Sequence, residues 1–166
     1  MSLASALAPG ARVLDIGCGT GLPITAALTA AGHRVVGLDS SALMLRMLPT
    51  NVPDVPAVRG RVEEAPFRDA AFDAAVAWGV IFHLTHEDQR RAFASVARLL
   101  APGGLFLFTA GDRDGGIDGQ MNGVTFHYYS FNIDAYRNLL AERGLILEDV
   151  HKDAGENTYY LARRGT

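Results

Sequence analysis

Nine residues near the start of the chain combine an apolar run, one carboxylate and three alternating glycines: Val13-Leu14-Asp15-Ile16-Gly17-Cys18-Gly19-Thr20-Gly21. A second carboxylate closes the next apolar run, Val35-Val36-Gly37-Leu38-Asp39. This spacing suits ligand binding. A strand that ends in glycines and opens a helix lets a ligand reach the backbone where no Cβ obstructs it. An acid at the end of the following strand stands where a ribose needs a hydrogen-bond acceptor. A buried strand explains the apolar residues but not the alternating glycines.

Such residues work only if strands and helices hold them. Runs rich in Val, Leu and Phe mark strands at Arg12–Asp15, Val35–Asp39, Ala57–Arg61, Ala74–Trp78 and Leu105–Thr109. Between them, helical periodicity marks Pro23–Ala31, Ser41–Leu48, His86–Leu100 and Ile133–Arg143. Gly32, Pro102-Gly103-Gly104 and Gly144 supply the stops. Nearly continuous apolar strands alternating with helices predict an α/β fold, with a mostly parallel sheet covered on both faces. Leu145–Val150 and Thr158–Ala162, separated by Gly, Asn and Asp, predict a terminal antiparallel hairpin. Ligands of such sheets bind beyond the carboxyl ends of the strands, where the glycine turn and Asp39 lie.

Composition narrows the field. The 166 residues are 49% hydrophobic and 20% charged, which predicts one globular domain over 1–166. A net charge of −3 argues against nucleic acid and anionic membrane as partners. No apolar run approaches the roughly 20 residues that span a bilayer. One cysteine, Cys18, permits no intrachain disulfide, which suits the cytoplasm, and no neighbouring His or second Cys makes it a metal site.

Two adenosine-bearing cofactors compete for the glycine turn. In the dinucleotide fingerprint G-x-G-x-x-G/A the third small residue comes later than Gly21, at the position of Leu22. Asp15 would repel a pyrophosphate and attract an ammonium or sulfonium group. The segment Val13–Gly21 resembles the first motif of the class I S-adenosylmethionine-dependent methyltransferases. The resemblance continues through Asp39, Gly60-Arg61-Val62-Glu63-Glu64-Ala65-Pro66-Phe67, Phe72-Asp73 and Leu100-Ala101-Pro102-Gly103-Gly104, in order, over roughly residues 10–110. It implies a Rossmann-like, three-layer αβα fold with seven strands, the last antiparallel, and S-adenosylmethionine as cofactor, S-adenosylhomocysteine as product.

Carried over position by position, the resemblance implies that Asp15, Gly17, Cys18, Gly19 and Gly21 hold the methionine part and Asp39 both ribose hydroxyls. Ser40 follows, and Met44 packs either on the adenine or in the core. Ala77 and Trp78 border the cofactor, Trp78 with a core role as the other reading. Asp15 could instead brace the turn, and Asp39 could also cap the next helix. Arg61 stands where the family carries an Asp that receives the adenine amino group, and a guanidinium has donors only. Glu63 or Glu64 then substitutes, or the backbone of Val62 and apolar contacts hold the ring.

Methyl transfer needs alignment and dryness, with a general base only for a protonated acceptor. His83, His127 and Tyr128 are the substrate-side residues, the two histidines doubling as candidate bases. The segment 111–131, with Asp112, Asp114 and Asp118, reads as a mobile substrate-side loop suited to a neutral or cationic small molecule. Only eleven residues precede the first strand, so the pocket is expected to be open, closed by this loop, or completed by another subunit. The competing readings are a nicotinamide-dependent oxidoreductase on a similar sheet and a non-catalytic adenosyl-binding module.

Overall fold

The computed structural model describes residues 6–121, 124–153 and 157–166. Its strands and helices follow in the order β1 (Arg12–Ile16), α1 (Ile24–Ala30), β2 (Arg34–Asp39), α2 (Ala42–Asn51), β3 (Ala57–Arg59), β4 (Phe72–Ala77), α3 (His86–Leu99) and β5 (Leu100–Ala110). Then come β6 (Gly115–Met121), β7 (Val124–Ser130), α4 (Ile133–Ala141), β8 (Leu145–Lys152) and β9 (Thr158–Arg164). Seven strands form one sheet in the order β3-β2-β1-β4-β5-β9-β8. Only β9 runs against its neighbours, slotted between β5 and β8. The expected seven-stranded, mostly parallel sheet and terminal hairpin are therefore present.

Apolar residues alternate between the two faces of each strand. Val13, Val35, Val76 and Leu105 pack with Leu28 of α1, and Leu48 of α2 lies beside them against Cys18. The opposite face carries Leu14, Ala75, Phe106 and Phe108 against Phe93 and Val96 of α3 and Tyr136 and Leu140 of α4. Phe108 stacks on Tyr160 with ring centroids 4.8 Å apart, and Phe93 meets Phe108 at 5.1 Å. Truncating a ring such as Phe93 would cost about 3–5 kcal/mol.

Several boundaries and one whole segment differ from expectation. Leu100 already pairs with Phe72; the chain turns through Gly103 at φ 76° and the β4–β5 ladder resumes at Ala74–Leu105. Helix α2 passes Leu48 and runs to Asn51, with Pro49 in its last turn. The larger correction concerns 111–131, expected to be a mobile loop. It contains a second, two-stranded sheet in which Gly115–Met121 pairs antiparallel with Val124–Ser130. One glycine there makes room for a ring: a Cβ on Gly119 would lie 2.3 Å from Cε2 of Tyr128, which is diagonal to it across the ladder. Asp118 and His127 face each other directly, Oδ1 to Nδ1 at 2.5 Å. Among the described residues no helix is long and apolar enough to cross a membrane.

Candidate functional site

The chain runs outward from β1 to β2 and β3, then crosses back to β4 and β5, so strand order reverses between β1 and β4. The turns leaving these two strands meet at the carboxyl edge. A Cβ on Gly17, at φ 71°, would come within 2.2 Å of Val80 Cγ2. A Cβ on Gly19 would meet nothing closer than a backbone oxygen at 4.0 Å, and one on Gly79 nothing within 4 Å. The edge is thus tight beneath Gly17 and open above Gly19 and Gly79, a cradle that side chains would fill.

Asp15 is the last carboxylate one would expect in a parallel strand, since it is only 2% exposed. One oxygen accepts from the Thr25 hydroxyl at 2.5 Å. Burial raises its pKa to about 6, the Thr25 hydrogen bond opposes that rise, and the negative charge of Asp39 adds to it. Among the described residues this buried carboxylate has a hydroxyl for a partner, an acid for a neighbour and no cation. Asp39 ties the turn together: its oxygens accept from Gly19 N and from Ser41 N, each at 2.8 Å. The cap of α2 is Ser41, whose Oγ accepts from Met44 N at 3.3 Å. Each Asp39 oxygen keeps a lone pair for a second donor.

Cys18 is buried, and desolvation together with the two nearby acids pushes its thiol up to about 12. It fills space opposite Gly37, where a Cβ would lie 2.7 Å from its Sγ. Gly21 N closes the turn onto Cys18 O at 2.8 Å. Ser40 offers its carbonyl to Arg59 at 3.2 Å. Met44 remains 40% exposed, beside the likewise exposed Leu43 and Met47. Ala77 is buried, and Trp78 is half-exposed with its ring 4.9 Å from that of Tyr159.

At the third motif Val62 is buried in a 3-10 turn, Val62–Glu64. Arg61 turns back to bind Glu63 at 2.5 Å and reaches Asp88 at 3.5 Å. Glu63 keeps its second oxygen buried without a hydrogen-bond partner, whereas Glu64 is exposed and bound to Arg91 at 2.9 Å. The Asp73 of the Phe72-Asp73 motif sits at the other end of the sheet, gripping Arg12 at 2.6 Å and its backbone N–H at 2.8 Å. That pair joins the starts of β1 and β4.

On the other side of the cleft, Phe82, His83 and Tyr128 form one aromatic cluster, with His83 4.7 Å from Phe82 and 5.1 Å from Tyr128. Burial lowers the His83 pKa. Phe82 and Tyr128 also wall a cavity of about 440 Å³ with Thr109, Asp112–Asp114 and Thr158. His127 is not brought into this group. Neighbours on a strand point to opposite faces, and its ring is exposed against Asp118.

Residue types alone did not disclose Thr25, which has no motif of its own, nor Thr109, whose Oγ1 accepts from Gly79 N at 2.8 Å. Gln89 was also silent. Buried in α3, it donates to Leu84 O and Tyr129 O at 3.0 and 2.8 Å and accepts from Tyr136 OH at 2.9 Å. A buried amide on an otherwise apolar helix face was the only available signal.

The family model described as a methyltransferase domain matches residues 13–104. A probable S-adenosylmethionine-dependent methyltransferase of Mycolicibacterium smegmatis is 33% identical over 143 residues, covering 84% of this chain and 54% of that protein. The chain spans about half the length of the curated relatives it matches. Among solved structures, an S-adenosylmethionine-dependent methyltransferase from Methanosarcina mazei superposes with a TM-score of 0.85 at 19% identity, over 97% of this chain and 95% of that one. The 1,6-didemethyltoxoflavin-N1-methyltransferase of Burkholderia thailandensis, solved with 1,6-didemethyltoxoflavin and S-adenosylhomocysteine, gives 0.80 at 24% identity, over 99% and 75%. These structural likenesses speak for the fold, and the family match covers the stretch from the glycine turn to Gly104. The chain belongs to the class I S-adenosylmethionine-dependent methyltransferases.

Proposed function

We propose that this chain carries out methyl transfer from S-adenosylmethionine to a small-molecule acceptor. The observation that carries the reading is Asp15: a buried carboxylate, short of a cation, beneath a glycine turn that is open at Gly19. S-adenosylmethionine, when bound, supplies a methyl group on positively charged sulfur, and its transfer leaves S-adenosylhomocysteine. Asp15 would hold the ammonium of the amino-acid end, with Thr25 fixing the carboxylate's orientation. Asp39 would accept from the ribose hydroxyls through the lone pairs that Gly19 and Ser41 leave free.

Met44 and the backbone at Val62 would flank the adenine. Arg61, committed to Glu63 and Asp88, would close the third-motif turn rather than touch the ring. On the acceptor side, Phe82 and Tyr128 would exclude water. His83, whose pKa burial lowers, would take a proton from a hydroxyl or ammonium acceptor. A small acceptor is supported by the size of the cavity beside these rings, about 440 Å³, and by the name of the Burkholderia relative.

Calorimetric titration with S-adenosylmethionine, S-adenosylhomocysteine and NAD tests the cofactor. Micromolar binding of both adenosyl compounds with none of NAD is the expected result. Asp39→Ala should abolish it, and the variant's thermal melt separates lost ligand contacts from lost folding. A folded protein silent to both adenosyl compounds would refute the reading. Appearance of S-adenosylhomocysteine with a small acceptor then tests transfer itself.

A further inference from the structure

We infer that Gln89 is a positioning residue for methyl transfer, holding His83 and Tyr128 at one spacing on the acceptor side of the site. The inference rests on the proposed reading of Phe82, His83 and Tyr128 as that side. These rings come from two separate segments. Phe82 and His83 stand on the 3-10 turn Ile81–His83 that follows β4, and Tyr128 stands on β7 of the outlying hairpin. That hairpin is a sheet of its own, and two strands alone are marginal in water. Methyl transfer depends on alignment, so a wall assembled from two segments needs a tie between them.

Gln89 supplies that tie. It is fully buried in α3, where an amide costs free energy unless its groups are bonded. Nε2 donates to Leu84 O at 3.0 Å and to Tyr129 O at 2.8 Å, while Oε1 accepts from Tyr136 OH at 2.9 Å. Carbonyl oxygens only accept, so the nitrogen has to face them and the amide has one orientation. The choice of carbonyls carries the inference. Leu84 directly follows His83, and Tyr129 directly follows Tyr128. One NH2 group thus spans the two backbone segments beside rings whose centroids lie 5.1 Å apart. His86 adds a contact on the β7 side, with Nε2 3.0 Å from Ser130 O. Among the described residues Gln89 is the one side chain hydrogen-bonded to both segments. A leucine there would fill space and hold neither carbonyl.

The test compares Gln89→Met, which keeps an unbranched side chain and removes the tie, with Tyr136→Phe, which removes the bond to Oε1 and leaves both N–H bonds. NMR reads the contact between the His83 and Tyr128 rings, and calorimetry reads S-adenosylhomocysteine affinity. Gln89→Met should lose the ring contact and raise the pH at which His83 titrates, because the ring loses cover. Its S-adenosylhomocysteine affinity should stay that of the unaltered protein, since the proposed cofactor residues lie on other elements. Tyr136→Phe should keep the ring contact even where its Tm falls as far. A ring contact that survives Gln89→Met, that both variants lose alike, or that goes only together with S-adenosylhomocysteine affinity would overturn the inference. Should Gln89→Met not fold, Gln89→Asn, whose amide is withdrawn by a methylene, is read against the same outcomes. S-adenosylhomocysteine bound by none of the proteins, with the ring contact responding as expected, would instead strike the cofactor reading and leave the spacing role in place.

Discussion

A single carboxylate, Asp15, is expected to set the pH behaviour of the proposed site. Its pKa in the fold is about 6 against an ordinary 3.8, chiefly through burial. A raised carboxylate favours the fold when protonated, so its contribution is complete below 3.8 and lost as pH rises through about 6. The difference is on the order of 3 kcal/mol. A cationic ligand reverses the preference, because it needs the ionised form. Apo stability is therefore expected to fall as pH rises across this window while S-adenosylhomocysteine affinity rises, by about tenfold from pH 5 to 7. Thr25→Val removes the one hydrogen bond that lowers the Asp15 pKa, so the affinity midpoint should move upward. Denaturation and calorimetry at matched pH check both, and a pH-independent affinity would remove Asp15 from the site. Gly19 makes a second test. With φ 55° and open space before it, Gly19→Ala should cost only about 1 kcal/mol of stability yet lower cofactor affinity at least tenfold. Gly17→Ala, driven against Val80, should lower both. A Gly19→Ala protein that binds normally would show that the turn does not cradle the ligand. Asp15, Asp39 and the glycines were legible because their types are costly anywhere else. Thr25 was not, since a hydroxyl in a helix is ordinary until its neighbours are known.

Among the elements, the β6–β7 hairpin is where sequence and structure part. Glycine weakens a strand by leaving nothing to pack, so a Gly-rich segment with scattered acids reads as a loop. The reading fails because the missing side chains are supplied from across the ladder, with Tyr128 lying over Gly119. The strands of the main sheet were legible because burial on both faces demands continuous apolar runs, a constraint the outlying hairpin escapes. What anchors the hairpin is equally invisible locally: Gln89 of α3 holds the carbonyl of Tyr129 and the hydroxyl of Tyr136. Gln89→Leu would leave Leu84 O, Tyr129 O and Tyr136 OH without these bonds, at a cost of about 3 kcal/mol. Deuterium uptake in β7 should rise more than in β4. Uniformly faster exchange across the sheet would mean that Gln89 stabilises the core as a whole and does not specifically hold the hairpin.

At the scale of the molecule, the residues proposed to hold the cofactor come from stretches far apart in sequence that the strand order brings to one edge. Asp15 and the glycine turn leave β1, Asp39 closes β2, the Val62 turn follows β3, and Trp78 and Gly79 follow β4. All four strands are parallel and adjacent, so one ligand laid across their carboxyl ends would bridge elements that otherwise meet mainly through the sheet. The Arg12–Asp73 clamp holds β1 and β4 together at the opposite edge, where no ligand residue lies. A ligand bound only by the fold should therefore raise its stability as a unit. At roughly a hundredfold excess over its dissociation constant, S-adenosylhomocysteine should add about 2.7 kcal/mol, a rise in Tm of roughly 5–10 °C for a chain of this size. Asp39→Ala should melt without that rise. Calorimetric melts of the two proteins decide the matter: a shift retained in Asp39→Ala would mean that the ligand stabilises the chain from somewhere other than this edge.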